Sequence, residues 1–253
     1  MPDFLLKPLI KRVRNSAGQN GGQCTWEFSQ MVGTVSSIIG THAGSKDGIC
    51  EMLSAKWLEC HAKEGHLANW IKGSGSDIDP SKVRNLMQLF IIGSEMNRQA
   101  IVGNAVAGGT VDQTNATARW LEAKGIRHRK SIKPVQFLNG PSVSTPVGST
   151  GSRGGGARGL HSANIGSAIA NIVNTGTGSY RMIGIYGPGG AHAMAAWVGA
   201  DVAFFDPNFG EFWFENRRDF IAWFPTFFSK ACYSWPKLGL CERFEVDEFA
   251  LAA

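Results

Sequence analysis

The spacing of apolar residues changes character along the chain. Behind Asp47, the residues Ile49, Leu53, Trp57 and Cys60 recur at steps of four and three, which predicts a helix with Asp47 as its N-cap. A second helix is predicted from Asp79-Pro80, a capping residue followed by proline at the first helical position. Its residues Val83, Leu86, Leu89 and Ile92 keep a three-residue step. A third is predicted over 112–124, ended by Gly125. A fourth follows over 162–174, with Ile165, Ala168, Ile169, Ile172 and Val173. Then the period shortens. Segments 181–186, 191–198, 202–206 and 212–214 read as strands, and the first three are joined by the short turns 187–190 and 199–201. Turns that short imply an antiparallel meander. A last helix over 217–231 carries Phe220, Trp223, Phe224, Phe227 and Phe228, with Pro225 predicted to kink or split it. Helices first, then a sheet, then a helix make an α+β fold.

Composition refines this picture at the ends and in the middle. Residues 1–23 finish in SAGQNGG and read as a mobile arm of the kind that serves as a secretion signal. Residues 139–159 are a Gly/Ser/Pro stretch without periodicity, which reads as a flexible loop between a helical lobe (about 24–138) and a sheet lobe (about 160–253). No run of about 18 apolar residues marks a membrane span. With 43% apolar residues, among them 15 Phe and 8 Trp, the chain can bury a substantial core. The net charge is +5 and gathers in Lys7, Lys11, Arg12 and Arg14 and in the run 124–133. No aromatics interleave with that run, so it reads as a solvated basic edge rather than a nucleic-acid surface; peripheral contact with a membrane remains compatible with it. Five cysteines at irregular spacing, with no CxxC pair, indicate neither a disulfide framework nor a zinc ribbon. Cys60, His61 and His66 do not make a metal site, because adjacent helical positions point about 100° apart and a fourth ligand is missing.

Three residues carry the candidate chemistry. Cys50 stands at the start of the first predicted helix, where free N–H groups and the helix dipole favour a thiolate. His192 opens the strand face shared by Met194, Ala196 and Val198. If Val198 pairs with Val202 across the turn, Asp206 falls opposite Met194, within reach of the imidazole, and a carboxylate there would fix its tautomer. Each residue alone also suits a structural role: a buried core cysteine, a core histidine bonded to a carbonyl, and an aspartate opening the turn Asp206-Pro207-Asn208.

Together the segments GICEMLSAKW (48–57), GAHA (190–193) and FFDPNFGEF (204–212) resemble the catalytic blocks of the YopT/AvrPphB family, papain-like cysteine proteases that bacteria inject into animal or plant cells. The resemblance covers 48–58 and 183–214 and is weak between them. It implies a papain-like fold with Cys50 as nucleophile on the helical lobe and His192 and Asp206 on the sheet lobe. It also implies a host protein as substrate, delivery from a bacterium into the host cell, and action as a monomer without cofactor or metal. The family's targets include prenylated small GTPases and plant kinases; the basic run would repel a polybasic tail if it lined the cleft. The same triad also serves acyltransferases and deamidases, and a non-catalytic binding module is the third alternative. Papain-like enzymes add a side-chain donor to the oxyanion site. Between Met31 and Ile49 there is no Gln or Asn, which leaves Ser45 as the favoured local donor, ahead of His42; Gln23 or Gln30 would serve if the preceding chain folds back. Some relatives trim their own N-terminus to expose a lipidation site, and Gly21-Gly22-Gln23-Cys24-Thr25 fits that pattern if cleavage falls after Asn20.

Overall fold

The structure, a computed structural model, describes residues 3–45, 48–105, 114–136, 165–171, 178–235, 239–241 and 243–252. The loop expected at 139–159 and the N-cap expected at Asp47 lie outside these residues. The chain begins with α1 (Asp3–Gly18) and β1 (Gly22–Trp26), followed by α2 (Gly33–Ile39), α3 (Cys50–Ala62), α4 (Leu67–Lys72), α5 (Pro80–Ala105) and α6 (Thr114–Glu122). Next come β2 (Ile126–Gln136), a short helix α7 (165–170), and the strands β3 (Ser179–Gly187), β4 (Gly190–Val198), β5 (Val202–Asp206) and β6 (Gly210–Phe214). Helix α8 (Arg217–Lys230) and β7 (Arg243–Leu251) complete it. No helix among the described residues is long and apolar enough to cross a membrane.

The seven strands form one antiparallel sheet in the order β1-β6-β5-β4-β3-β7-β2. The expected meander is its centre, and the β4–β5 register is the expected one, Val198 opposite Val202. Both faces of the sheet are covered. Val202 and Phe204 of β5 point into a core with α1, α7 and α8, while Ala203 and Phe205 point into a second core with α2 to α6. That is why β5 is buried at every position and reads as continuous apolar sequence rather than as an alternation. Within the second layer α3 is buried on most of its circumference, including Leu53, Ala55, Trp57 and Leu58, as a helix wedged between sheet and other helices must be. The arrangement is the papain-like α+β fold, with the Cys50 helix packed on an antiparallel sheet.

The ends differ from expectation. Residues 3–18 are not an arm: Leu6, Ile10, Val13 and Ala17 line up along one face of α1 and are buried in the first core. Arg14 fastens the helix by donating to the carbonyls of Phe209 (2.8 Å) and Phe28 (2.7 Å). Gly22, Gln23 and Cys24 of the lipidation sequence offered above, 21–25, are paired with β6. The lobe boundaries shift accordingly, since β1 and β2 belong to the sheet and α1 and α8 cover its far face. The basic run is indeed an edge: it becomes β2, the outermost strand, where charge discourages further strand pairing. Helix α8 passes through Pro225 without a break, started by Asn216, whose side chain accepts from the Asp219 N–H. In α5, Val83 and Leu86 are buried as expected, while Ile92 is exposed.

Truncating α1's buried face therefore costs stability. Ile10→Ala should lower the unfolding free energy by about 2–4 kcal/mol, read from denaturant midpoints; a midpoint equal to wild type would restore the arm.

Candidate active site

Cys50 is the first residue of α3. Gly48 before it has φ 121°, a conformation open to glycine. A Cβ there would come within 3.3 Å of the Gln30 side chain. Ile49 sits at the N-cap without a side-chain cap of its own; its N–H donates instead to Gln30 Oε1 at 3.0 Å. Beyond the last β4–β5 pair, Ala195 opposite Phe205, the edge of β4 is taken over by α3. The Ala193 N–H donates to Cys50 Sγ at 3.4 Å, and Ser54 Oγ donates to the Ala193 carbonyl at 3.2 Å. The sulfur thus sits at a helix N-terminus with a backbone donor aimed at it.

His192 is 5% exposed and Asp206 fully buried. His192 Nε2 and Asp206 Oδ1 are 2.9 Å apart, which leaves Nδ1 for the sulfur. Burial by itself would push the imidazole's proton affinity down. The Asp206 charge and the hydrogen bonds to Asp206 and Cys50 outweigh it and raise the histidine above its ordinary value. Asp206 is held in turn: its Oδ1 accepts from the Asn208 N–H (2.7 Å) and its Oδ2 from the Tyr233 hydroxyl (2.9 Å).

The expected oxyanion donor is not at the sulfur. Ser45 is 1% exposed, and its hydroxyl donates to the Ile39 carbonyl at 3.0 Å and the His42 carbonyl at 3.3 Å. His42 accepts from the Gly44 N–H, and Gln23 lies on the exposed side of edge strand β1. Gln30 is the residue brought to the nucleophile. The chain before α2 does fold back: Gln30 N–H donates to the Pro207 carbonyl at 2.7 Å, beside Asp206, and Gln30 Nε2 donates to Asn208 Oδ1 at 2.9 Å. Cys60, His61 and His66 lie elsewhere: His66 meets Glu211 at 3.2 Å, and His61 stacks on Trp197.

Cys50 and His192 open onto a cleft of about 690 Å³ floored by β4, β3 and β7 and walled by α3 and Phe90. Three carboxylates, Glu51, Glu245 and Asp247, line it, and none of its described lining residues is Lys or Arg. No residue of β2 is among that described lining.

Cys50 at a helix start thus stands by a buried histidine–aspartate pair on the sheet, and the likeness to known proteins makes the chain a cysteine peptidase. The chain belongs to the peptidase C58 family, described as Yersinia/Haemophilus virulence surface antigen, whose model matches residues 14–251. It is 30% identical over 256 residues to the cysteine protease YopT of Yersinia pestis, across 98% of this chain and 71% of that protein. It is 31% identical over 254 residues to YopT of Yersinia enterocolitica, with the same coverage, 98% and 71%. It is also 26% identical over 249 residues to the protein adenylyltransferase and cysteine protease IbpA of Histophilus somni, 96% of this chain but 5% of that protein. Among solved structures the avirulence protein AvrPphB of Pseudomonas superposes with a TM-score of 0.55 at 15% identity, over 83% of this chain and 95% of that one. The fold-back of Gln30 had no local signal; only the match of Gln30 to a partner 178 residues away reveals it.

The raised histidine has a measurable sign. Its pairing with Asp206 is complete below the ordinary value near 6.5 and is lost only as the pH rises through the higher folded value. Alkylation of Cys50 by iodoacetate, an anion drawn to the imidazolium, should stay fast well above neutrality before its alkaline limb falls. A limb centred near pH 6.5 would show an ordinary histidine.

Proposed function

We propose that the chain is an endopeptidase that cuts a host protein through a thioester acyl-enzyme, with Cys50 as nucleophile, His192 as general base and acid, and Asp206 as the group that orients His192. The observation that carries this is the convergence, in one cleft, of the Cys50 sulfur, the His192 ring and the buried Asp206 carboxylate. The Cys50 thiolate attacks the scissile carbonyl carbon, and the carbonyl electron pair moves to oxygen. That oxygen is received by the Cys50 backbone N–H at the start of α3 and by the free N–H of the Gln30 amide, in the role first sought at Ser45. The tetrahedral intermediate collapses to a thioester as the His192 imidazolium gives its proton to the leaving amine. Neutral His192 then takes a proton from water, which attacks the thioester and releases the acid and the thiol. The carboxylates of Glu51, Glu245 and Asp247 in the cleft support a substrate segment carrying Lys or Arg. Membership of a bacterial virulence family supports delivery into a host cell.

Cys50→Ala, His192→Ala and Asp206→Ala should each lower turnover by about 10⁴-fold or more, and the Cys50→Ala/His192→Ala pair should be no worse than either alone. Gln30→Ala should cost about 10²–10³ in kcat, whereas Ser45→Ala should leave kcat within a few-fold. Normal turnover in His192→Ala would remove the triad. The substrate is found by profiling new N-termini in host-cell lysate treated with wild type or Cys50→Ala. Cuts confined to the wild-type sample, with Lys or Arg flanking the cut, are expected; cut sites without nearby basic residues would overturn the specificity.

A further inference from the structure

Behind the triad stands a tyrosine from outside all three sequence blocks. Tyr233 follows α8, is 6% exposed, and lays its ring against His192, centroids 5.4 Å apart and planes 37° apart. Its hydroxyl has one proton, and the geometry commits it: the O–H donates to Asp206 Oδ2 at 2.9 Å and accepts from Asn208 Nδ2 at 3.1 Å. The other end of the Asn208 amide, Oδ1, accepts from Gln30 Nε2 at 2.9 Å, and Gln30 Oε1 accepts from the Ile49 N–H beside the nucleophile. Every bond in this relay therefore has a defined donor and acceptor. It starts at the carboxylate behind the base, passes through Tyr233 and Asn208, and ends at the amide beside the sulfur. Both amide orientations are set by the chain itself, since reversing Asn208 would oppose its donor to that of Gln30.

We infer that Tyr233 and Asn208 are positioning residues of the peptidase, a relay that holds the Asp206 carboxylate on His192 and in register with the Gln30 amide. This rests on the triad reading above. Asp206 has two oxygens. The Asn208 backbone N–H and His192 engage Oδ1, and the Tyr233 hydroxyl engages Oδ2. Without the hydroxyl the carboxylate has a bare buried oxygen and turns to find a donor, which draws Oδ1 off the imidazole and the Asn208 amide off Gln30. The phenol is suited to this post: burial and the neighbouring Asp206 charge keep its proton on well beyond the ordinary tyrosine range. It therefore stays a donor through the ordinary tyrosine range.

Tyr233→Phe keeps the ring and its packing and removes only the hydroxyl. The probe is iodoacetate, with Cys50 labelling followed by intact mass across pH, a readout that needs no substrate. Tyr233→Phe should label about tenfold more slowly at neutral pH, with its alkaline limb about one pH unit lower, while melting as a folded protein. Asn208→Ala should do the same in smaller measure, and the double variant should be no slower than Tyr233→Phe, because both act through one carboxylate. A tyrosine that merely fills space would give a Tyr233→Phe profile identical to wild type. That result, a limb unmoved or moved upward, or effects that multiply in the double variant, would overturn the relay. Asp206→Asn separates the two readings. If it labels like wild type, the triad assignment has failed. If it collapses the labelling while Tyr233→Phe does not, only the relay has.

Discussion

The antiparallel pairing of β4 with β5 is the constraint on which the rest depends. Its turn is tight, closed by Gly199 N–H to the Asp201 carbonyl at 2.8 Å, so Val198 and Val202 are forced opposite each other. From that pair outward every position is determined. A slip of one residue would turn Phe204 from the α8 core to the α3 core, and Asp206 away from His192. Because both faces of the sheet are buried, neither core would accept the exchange. The approach of Asp206 to His192 is thus enforced by packing many ångströms away from it, at the centres of the strands.

Where β5 stops pairing, the sheet presents backbone groups that need partners, and α3 supplies them through Ser54 and Cys50. The same economy recurs at the helix start, where Gln30 satisfies the Ile49 N–H in place of an ordinary capping side chain. Buried polar groups rarely go unpaired, and here the pairing that the fold demands also gathers Gln30 and Ala193 around the start of α3. A clamp farther along α3 completes the docking. Glu211 of β6 accepts from Trp57 Nε1 at 2.6 Å and from Thr25 at 2.8 Å, which ties the middle of the helix to the sheet and to β1.

What could be read from sequence was what local pattern encodes. The short turns and apolar runs of 181–206 specify their own pairing, and the residues Cys50, His192 and Asp206 lie in compact blocks. Helix α1 escaped because Pro8 and its glycine-rich end disfavour a helix locally, while its reward, the burial of Leu6, Ile10, Val13 and Ala17, comes from partners in α8 and the sheet. Strand β7 was hidden for a different reason. Phe244 and Val246 face one core, but the alternate positions Glu245 and Asp247 face the cleft, so no continuous apolar run marks it. Ser45 was chosen by nearness in sequence, yet the backbone around it turns its hydroxyl inward to close the end of α2. Gln30 owes its place to contacts with Pro207 and Asn208, and no window of sequence around either residue contains both.

That long separation bears on how the molecule comes into being. Gln30 leaves the ribosome 178 residues ahead of Asn208, and Cys50 emerges 143 residues ahead of Ala193. At ordinary synthesis rates the interval is roughly ten to forty seconds. Throughout it α1 has no core to cover and β1 no strand to join, because β6 and α8 do not yet exist. The thiol is made early, while His192, Ala193 and Asp206, which stand around it in the folded chain, are absent until most of the polypeptide is out. The surroundings of Cys50 are therefore completed in one late step, when distant stretches of the sequence close on each other.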